Sequence, residues 1–230
     1  MRAILLGVTA IALAGCKAAS EPTVANEVAS TENEGTPASS SSIRPSFDCD
    51  RAEGQAQQLV CNVASLAQMD VEMSRLYSLA EATNDIGKDR LNELKAMQRG
   101  WIKGRDDCWK SDDLRQCVVE AYVSRIHELR EGYANARSDD SAGISSGPVA
   151  FVCEGIEAGI SGVFVDGDPG AVSLKWRDTS LALERVESNS GAKYSGKNFE
   201  GAWTFWSKGR ESILTHPAKG DLSCEQDEIG

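Results

Sequence analysis

Between residues 46 and 137, side chains of one character recur every three to four positions. Leu66, Met69, Met73, Leu76, Tyr77 and Ala80 form one stripe. Leu91, Leu94, Gln98, Trp101 and Arg105 form a second, and Val118, Ala121, Tyr122, Ile126, Leu129 and Tyr133 a third. That period is helical. Asn84-Asp85-Ile86-Gly87 breaks the first stripe from the second, and Asp112 is placed to cap the third. With a helix-compatible run from Arg51 to Val60, the pattern predicts three or four helices in an antiparallel bundle. From residue 150 the period changes to two. Val172, Leu174 and Trp176 alternate with other residues, as do Leu181 and Leu183. Asp166-Gly167-Asp168-Pro169-Gly170 is a strong turn signal after Gly162 to Val165, and the ring-rich Ala202 to Phe205-Trp206 is a good strand former. Many short strands at regular spacing predict a small antiparallel β-barrel. The expected fold class is therefore α+β in separate domains. A helical bundle at 46–137 and a barrel at 150–230 are joined by a polar, Gly- and Ser-rich linker at 138–149.

Residues 16–45 contain Ser, Thr, Pro, Glu and Ala with almost no large apolar side chain, and cannot bury enough surface to offset the entropy of ordering. They read as a disordered tether. The formal net charge is -11, unevenly spread. Residues 44–137 hold 14 basic against 16 acidic side chains, and residues 138–230 hold 8 against 15. An acidic second half argues against nucleic acid and for a basic partner.

Ahead of the tether, residues 1–15 read as a signal peptide. Arg2 precedes an apolar run from Ala3 to Ala14 that is too short to span a membrane. It ends in Leu13-Ala14-Gly15-Cys16, which resembles a bacterial lipobox. The resemblance implies acylation of Cys16 and attachment to a membrane through that lipid. Lys17 after the cysteine favours the outer membrane, with the chain facing the periplasm.

Cysteine usage agrees with export. Setting Cys16 aside leaves an even six in a chain bound for an oxidising compartment. Six cysteines allow 15 pairings. Four lie in the first domain and two bracket the last, which favours Cys49–Cys61, Cys108–Cys117 and Cys153–Cys224. A metal site is the weaker reading: there is no Cys-x-x-Cys, and His127 and His216 are the only histidines. Neither histidine sits in a recognisable triad and no free thiol remains, so no catalytic activity, metal or cofactor is expected.

The candidate chemistry lies between Ser188 and Gly209. Ser190-Gly191-Ala192-Lys193-Tyr194 suits a tight, partly exposed loop, and Phe205-Trp206-Ser207-Lys208-Gly209 ends a strand and presents one ammonium. A hydroxyl and a cation presented together suit a negatively charged target. With Phe151-x-Cys153 and the closing Cys224, these two motifs resemble the membrane-bound inhibitors of C-type lysozyme. The resemblance implies a small β-barrel with a terminal disulfide. It also implies that Ser190 and Lys208 enter the lysozyme cleft, that Gly191 permits close backbone approach, and that Tyr194 braces or contacts the rim. The connection from Ser195 to Ala202 looks longer than in that family and could shield the site or shift selectivity.

The helical half resembles the lysozyme inhibitor LprI-like family. Phe47-Asp48-Cys49, Val60-Cys61, Gln98-x-x-Trp101-x-x-x-Arg105-Asp106-x-Cys108, and Cys117 with Tyr122 and Arg125-Ile126 carry this likeness. Trp101 and Arg105 lie one helical turn apart and are expected to pack and hydrogen-bond within the bundle. Together the two resemblances imply a lipid-anchored inhibitor of C-type lysozyme. The alternative is a non-inhibitory envelope or peptidoglycan-binding lipoprotein.

Overall fold

The computed structural model describes residues 43–83 and 86–227. The signal segment, Cys16, most of the tether, and Asn84-Asp85 lie outside the described residues.

Four α-helices occupy the first half of the described chain: α1 (Gln55–Asn62), α2 (Ala64–Glu81), α3 (Lys88–Asp106) and α4 (Leu114–Gly132). The stripes pack inward, with Leu66, Met69, Leu76, Leu94, Tyr122, Ile126 and Leu129 all buried. Asp113, rather than Asp112, caps α4. Its carboxylate accepts the Gln116 N–H at 3.0 Å. A capping side chain must reach the N–H two or three residues ahead, and Asp112 stands one residue too early. Disulfides join Cys49 to Cys61 and Cys108 to Cys117. Trp101 and Arg105 are engaged inside the bundle. The Trp101 indole donates to the Ala121 carbonyl at 2.8 Å, and Arg105 donates to Asp106 at 2.7 Å and to the Tyr122 hydroxyl at 2.9 Å. The Tyr122 hydroxyl in turn donates to buried Asp70 at 2.8 Å.

The second half is a closed, antiparallel eight-stranded barrel in sequence order. Its strands are β1 (Ser145–Cys153), β2 (Gly159–Val165), β3 (Ala171–Trp176), β4 (Thr179–Val186), β5 (Ala192–Asn198), β6 (Gly201–Lys208), β7 (Glu211–His216) and β8 (Gly220–Gln226). Phe151, Val172, Leu174, Leu183, Tyr194, Trp203, Phe205 and Leu214 fill its interior. The β1–β8 seam is short, pairing only Phe151, Val152 and Cys153 with Gln226, Glu225 and Cys224. The Cys153–Cys224 disulfide lies on this seam.

The two halves share a buried interface that the sequence did not announce. Helix α4 lies against the outer wall of β2, β3 and β4, and Val163, Val165, Ala171 and Ala182 join the helical core. This explains why Ala171, Val172, Ser173 and Leu174 are all buried although their pattern alternates. One set faces the barrel interior and the other faces a helix. Arg115 pairs with Glu184 at 2.6 Å, and Lys175 with Glu131 at 3.2 Å, at the edges of the contact.

The stretch read as a linker is also built in. β1 already starts at Ser145, and Arg130, fully buried, donates to Asp140 at 2.9 Å and to the Gly147 carbonyl at 2.8 Å. The Ser145 hydroxyl is hydrogen-bonded to Glu72 of α2. Backbone polar groups leaving α4 find partners in side chains of the bundle, which a slack linker would leave to water.

His127 sits in the middle of the interface. Its ring nitrogens lie 2.8 Å from the Ser173 hydroxyl and 2.9 Å from that of Ser161. Burial disfavours the imidazolium and lowers its pKa, against a smaller opposing pull from the Glu131 carboxylate and a small push from Lys175 in the same direction as burial. An unfolded histidine titrates at about 6.5. As the pH falls through that value, the unfolded chain takes up a proton that the folded chain resists, so stability falls on the acid side. The melting temperature is expected to drop between pH 7 and pH 5, and less steeply in His127→Gln. Equal slopes in the two proteins would exclude His127 as the cause.

Candidate functional site

Strand connections leave a meandering barrel at alternate ends. The β2–β3, β4–β5 and β6–β7 turns therefore share one rim. Ser190 and Gly191 belong to the β4–β5 turn, and Lys208 is the last residue of β6. The β5–β6 register decides their separation: Ala192 pairs with Ser207, Lys193 with Trp206 and Tyr194 with Phe205. Gly191 is thereby brought against Lys208. Its φ is +67°, and a Cβ placed there would lie 2.5 Å from the Ser207 carbonyl oxygen and 3.1 Å from the Lys208 Cβ. Only glycine accepts both the left-handed backbone and that approach.

The Ser190 backbone is held while its side chain is left open. Its carbonyl accepts the Trp206 indole N–H at 2.8 Å and the Ser188 hydroxyl at 2.7 Å. Its own hydroxyl is exposed and has no hydrogen-bond partner among the described residues. Lys208 is likewise exposed and makes no ion pair among them. Beyond it the chain turns through Gly209, with φ +63°, and Arg210, and β7 starts at Glu211, opposite Lys208. The rim therefore carries one uncommitted hydroxyl and one uncommitted ammonium on adjacent, braced turns.

Tyr194 is placed differently. Only 6% of it is exposed, and its ring packs among Phe164 (centroids 5.9 Å apart) and Phe205 (6.5 Å) inside the barrel. Desolvation raises its phenol pKa. Its ring therefore lies in the barrel core and not on the exposed rim. The Ser195 to Ala202 stretch is not a loop over the site. It continues β5 and β6 to a tight turn at Phe199-Glu200, at the opposite end of the barrel, so it cannot shield Ser190 and Lys208.

Below the Ser190 turn the outer wall of β5 to β8, which the helices leave uncovered, forms an open concavity of about 900 Å³. Arg185, Lys193, Trp206, Ile213 and Asp221 are among its lining residues. Trp206 ties this wall to the Ser190 turn, a placement that the motif alone does not specify. Alternation along β6 was the available signal. With Phe205 inward, Trp206 must face outward, with its N–H available to the neighbouring turn.

These features define a class: a disulfide-closed barrel carrying a hydroxyl and an ammonium on one rim, fused to a disulfide-pinned helical bundle. Residues 151–223 match the family model for the membrane-bound lysozyme-inhibitor of c-type lysozyme, and residues 49–129 match that for lysozyme inhibitor LprI. The two resemblances read from the motifs are the two matched, in the same order along the chain. Among individual proteins, the chain is 29% identical to Lipoprotein LprI of Mycobacterium bovis over 201 residues, which is 87% of this chain and 89% of that protein. The same values hold for Lipoprotein LprI from two strains of Mycobacterium tuberculosis. No solved structure matches the chain.

Proposed function

We propose that this protein is a lipid-anchored inhibitor of C-type lysozyme and that the Ser190 and Lys208 turns plug the lysozyme cleft. The observation that carries the reading is the adjacency of Gly191 and Lys208 across the β5–β6 register, with both functional side chains unspent. Lysozyme cleaves with two carboxyl groups, one held protonated as general acid and one ionised. The Ser190 hydroxyl hydrogen-bonds the first, and the Lys208 ammonium pairs with the second. Both interactions gain strength as the plug excludes water from the cleft. The protein needs no nucleophile or base of its own, because complementarity alone is enough to block the groove. Acylation at Cys16 holds it to the outer membrane, facing the periplasm, with residues 16–45 as the tether. Its acidic barrel domain steers it toward a basic enzyme.

The test is lysis of a peptidoglycan suspension by a C-type lysozyme, with the chain from Lys17 onward as inhibitor. The parent slows lysis in proportion to its concentration. Gly191→Ala is expected to weaken inhibition about tenfold, because a methyl group at that position meets the Ser207 carbonyl and forces the turn away from Lys208. Unchanged inhibition by that variant would remove the close approach from the mechanism.

A further inference from the structure

The helical half holds a cavity of about 530 Å³ that the inhibitory rim does not use. It lies between α2, α3 and the segment that precedes α1, and its volume falls within the range of small-molecule sites. Five of the residues by which this half resembles its family converge on it: Phe47, Asp48, Gln98, Trp101 and Arg105. They come from two stretches far apart in the chain, so their meeting is a product of the fold.

The lining combines three kinds of surface. Phe47, Tyr77 and Trp101 are half-buried rings, with Met73 and Ile102 as apolar neighbours. The floor is preorganised and charged. Asp70 is 1% exposed and Arg105 is 5% exposed. The Arg105 guanidinium lies 5.3 Å from the Phe47 ring centroid and 5.4 Å from that of Trp101. Three of its five N–H groups bond Asp106 and Tyr122, and Nη1 also faces the Asp70 carboxylate at 3.7 Å, which leaves one Nη2 N–H unspent. The hydroxyls of Ser74 and Tyr77 have no hydrogen-bond partner among the described residues. Finally, the charged side chains in the lining balance: Asp48 and Asp70 against Arg51 and Arg105.

That balance disfavours a ligand of one sign, such as a phosphate or a polyamine. Ring faces, unspent hydroxyls and a guanidinium suit a ligand with apolar C–H faces and many neutral donors and acceptors. Met73 and Ile102 add apolar side chains to the lining, against which a methyl group can pack. We propose that this cavity binds a neutral N-acetylated saccharide, with sugar rings against Tyr77 and Trp101, hydroxyls on Ser74 and Arg105, and the acetamide methyl on the Met73–Ile102 wall. The helical half then holds the glycan while the barrel rim holds the enzyme that attacks it. This site stands or falls independently of Ser190 and Lys208.

The experiment titrates tri-N-acetylchitotriose into the chain from Lys17 onward, with no lysozyme present, and follows binding by calorimetry. Saturable binding with Kd below about 1 mM is expected, typical of a small sugar making few hydrogen bonds. Trp101 packs on Tyr122, so its removal risks the fold. Tyr77→Ala and Ser74→Arg, at the half-buried mouth, are used instead. Each is expected to weaken binding at least tenfold with lysozyme inhibition close to the parent. Ser74→Arg also keeps the parent melting temperature, while Tyr77→Ala, which loses packing at the edge of the helical core, melts lower but stays folded. Absence of binding at 10 mM sugar would overturn the proposal. So would binding that survives both variants but is lost in Trp206→Phe, since the sugar would then sit on the barrel wall. Equal binding of cellotriose would overturn the acetamide contact, and preferential binding of a short wall-type peptide would replace the ligand class.

Discussion

Inhibition of a C-type lysozyme is expected to weaken about 100-fold when Ser190 and Lys208 are both replaced by alanine. Truncating one partner of a desolvated, hydrogen-bonded charge pair costs about 2–5 kcal/mol, much of it the penalty of leaving the other charge buried and alone. Losing a neutral hydrogen bond adds about 1 kcal/mol. The two losses are not additive, because the same plug excludes water from both. A combined loss near 3 kcal/mol corresponds to the factor stated. Both side chains are exposed and without partners among the described residues, so the double variant should melt with the parent. Lys208→Arg keeps the charge on a differently shaped head and should recover part of the inhibition. A double variant that inhibits within threefold of the parent would rule out this rim as the plug.

Removing the Cys153–Cys224 disulfide is expected to destabilise the protein by about 4 kcal/mol in the chain-entropy account, because it closes the longest loop of the three. Its half-cystines are 71 residues apart, against 12 for Cys49–Cys61 and 9 for Cys108–Cys117. The shorter loops correspond to about 3 kcal/mol each. The position of the bond strengthens the ranking. Only three residue pairs join β1 to β8, as few as join β4 to β5, so this covalent link holds one of the two shortest seams of the barrel. The helices share core with β2, β3 and β4, so an opened seam also loosens the interface around His127. Urea unfolding of the three double-alanine variants checks this. The barrel variant should lose at least 1 kcal/mol more than either of the others, and equal losses would show that the seam closes without its staple.

Much of this was legible before the fold. The stripes of Leu66 to Ala80 and of Val118 to Tyr133 announce helices because a helical period is local. The placement of six cysteines, four in one half and two bracketing the other, points to the pairs that the structure joins. Other features depended on what lies across space. Ala171 to Leu174 alternate like a half-exposed strand, yet every one is buried, because α4 covers the outer wall. Tyr194, read within a loop motif, is on a strand and points into the barrel. Ser195 to Ala202 looked like an added loop and proved to be strand, turning at the far end.

The sequence by itself determined the two kinds of secondary structure, the acidic balance of the second half, the cysteine framework and the two motifs that carry the hydroxyl and the ammonium. These are properties of neighbouring residues and their spacing, which each segment retains whatever surrounds it. Only the tertiary structure decided that Gly191 touches Lys208, that Trp206 anchors the Ser190 turn, that α4 covers the outer wall of β2, β3 and β4, and that Phe47 meets Trp101 and Arg105 over one cavity. Those distances follow from strand register and helix docking, and both are selected by the packing of all side chains at once.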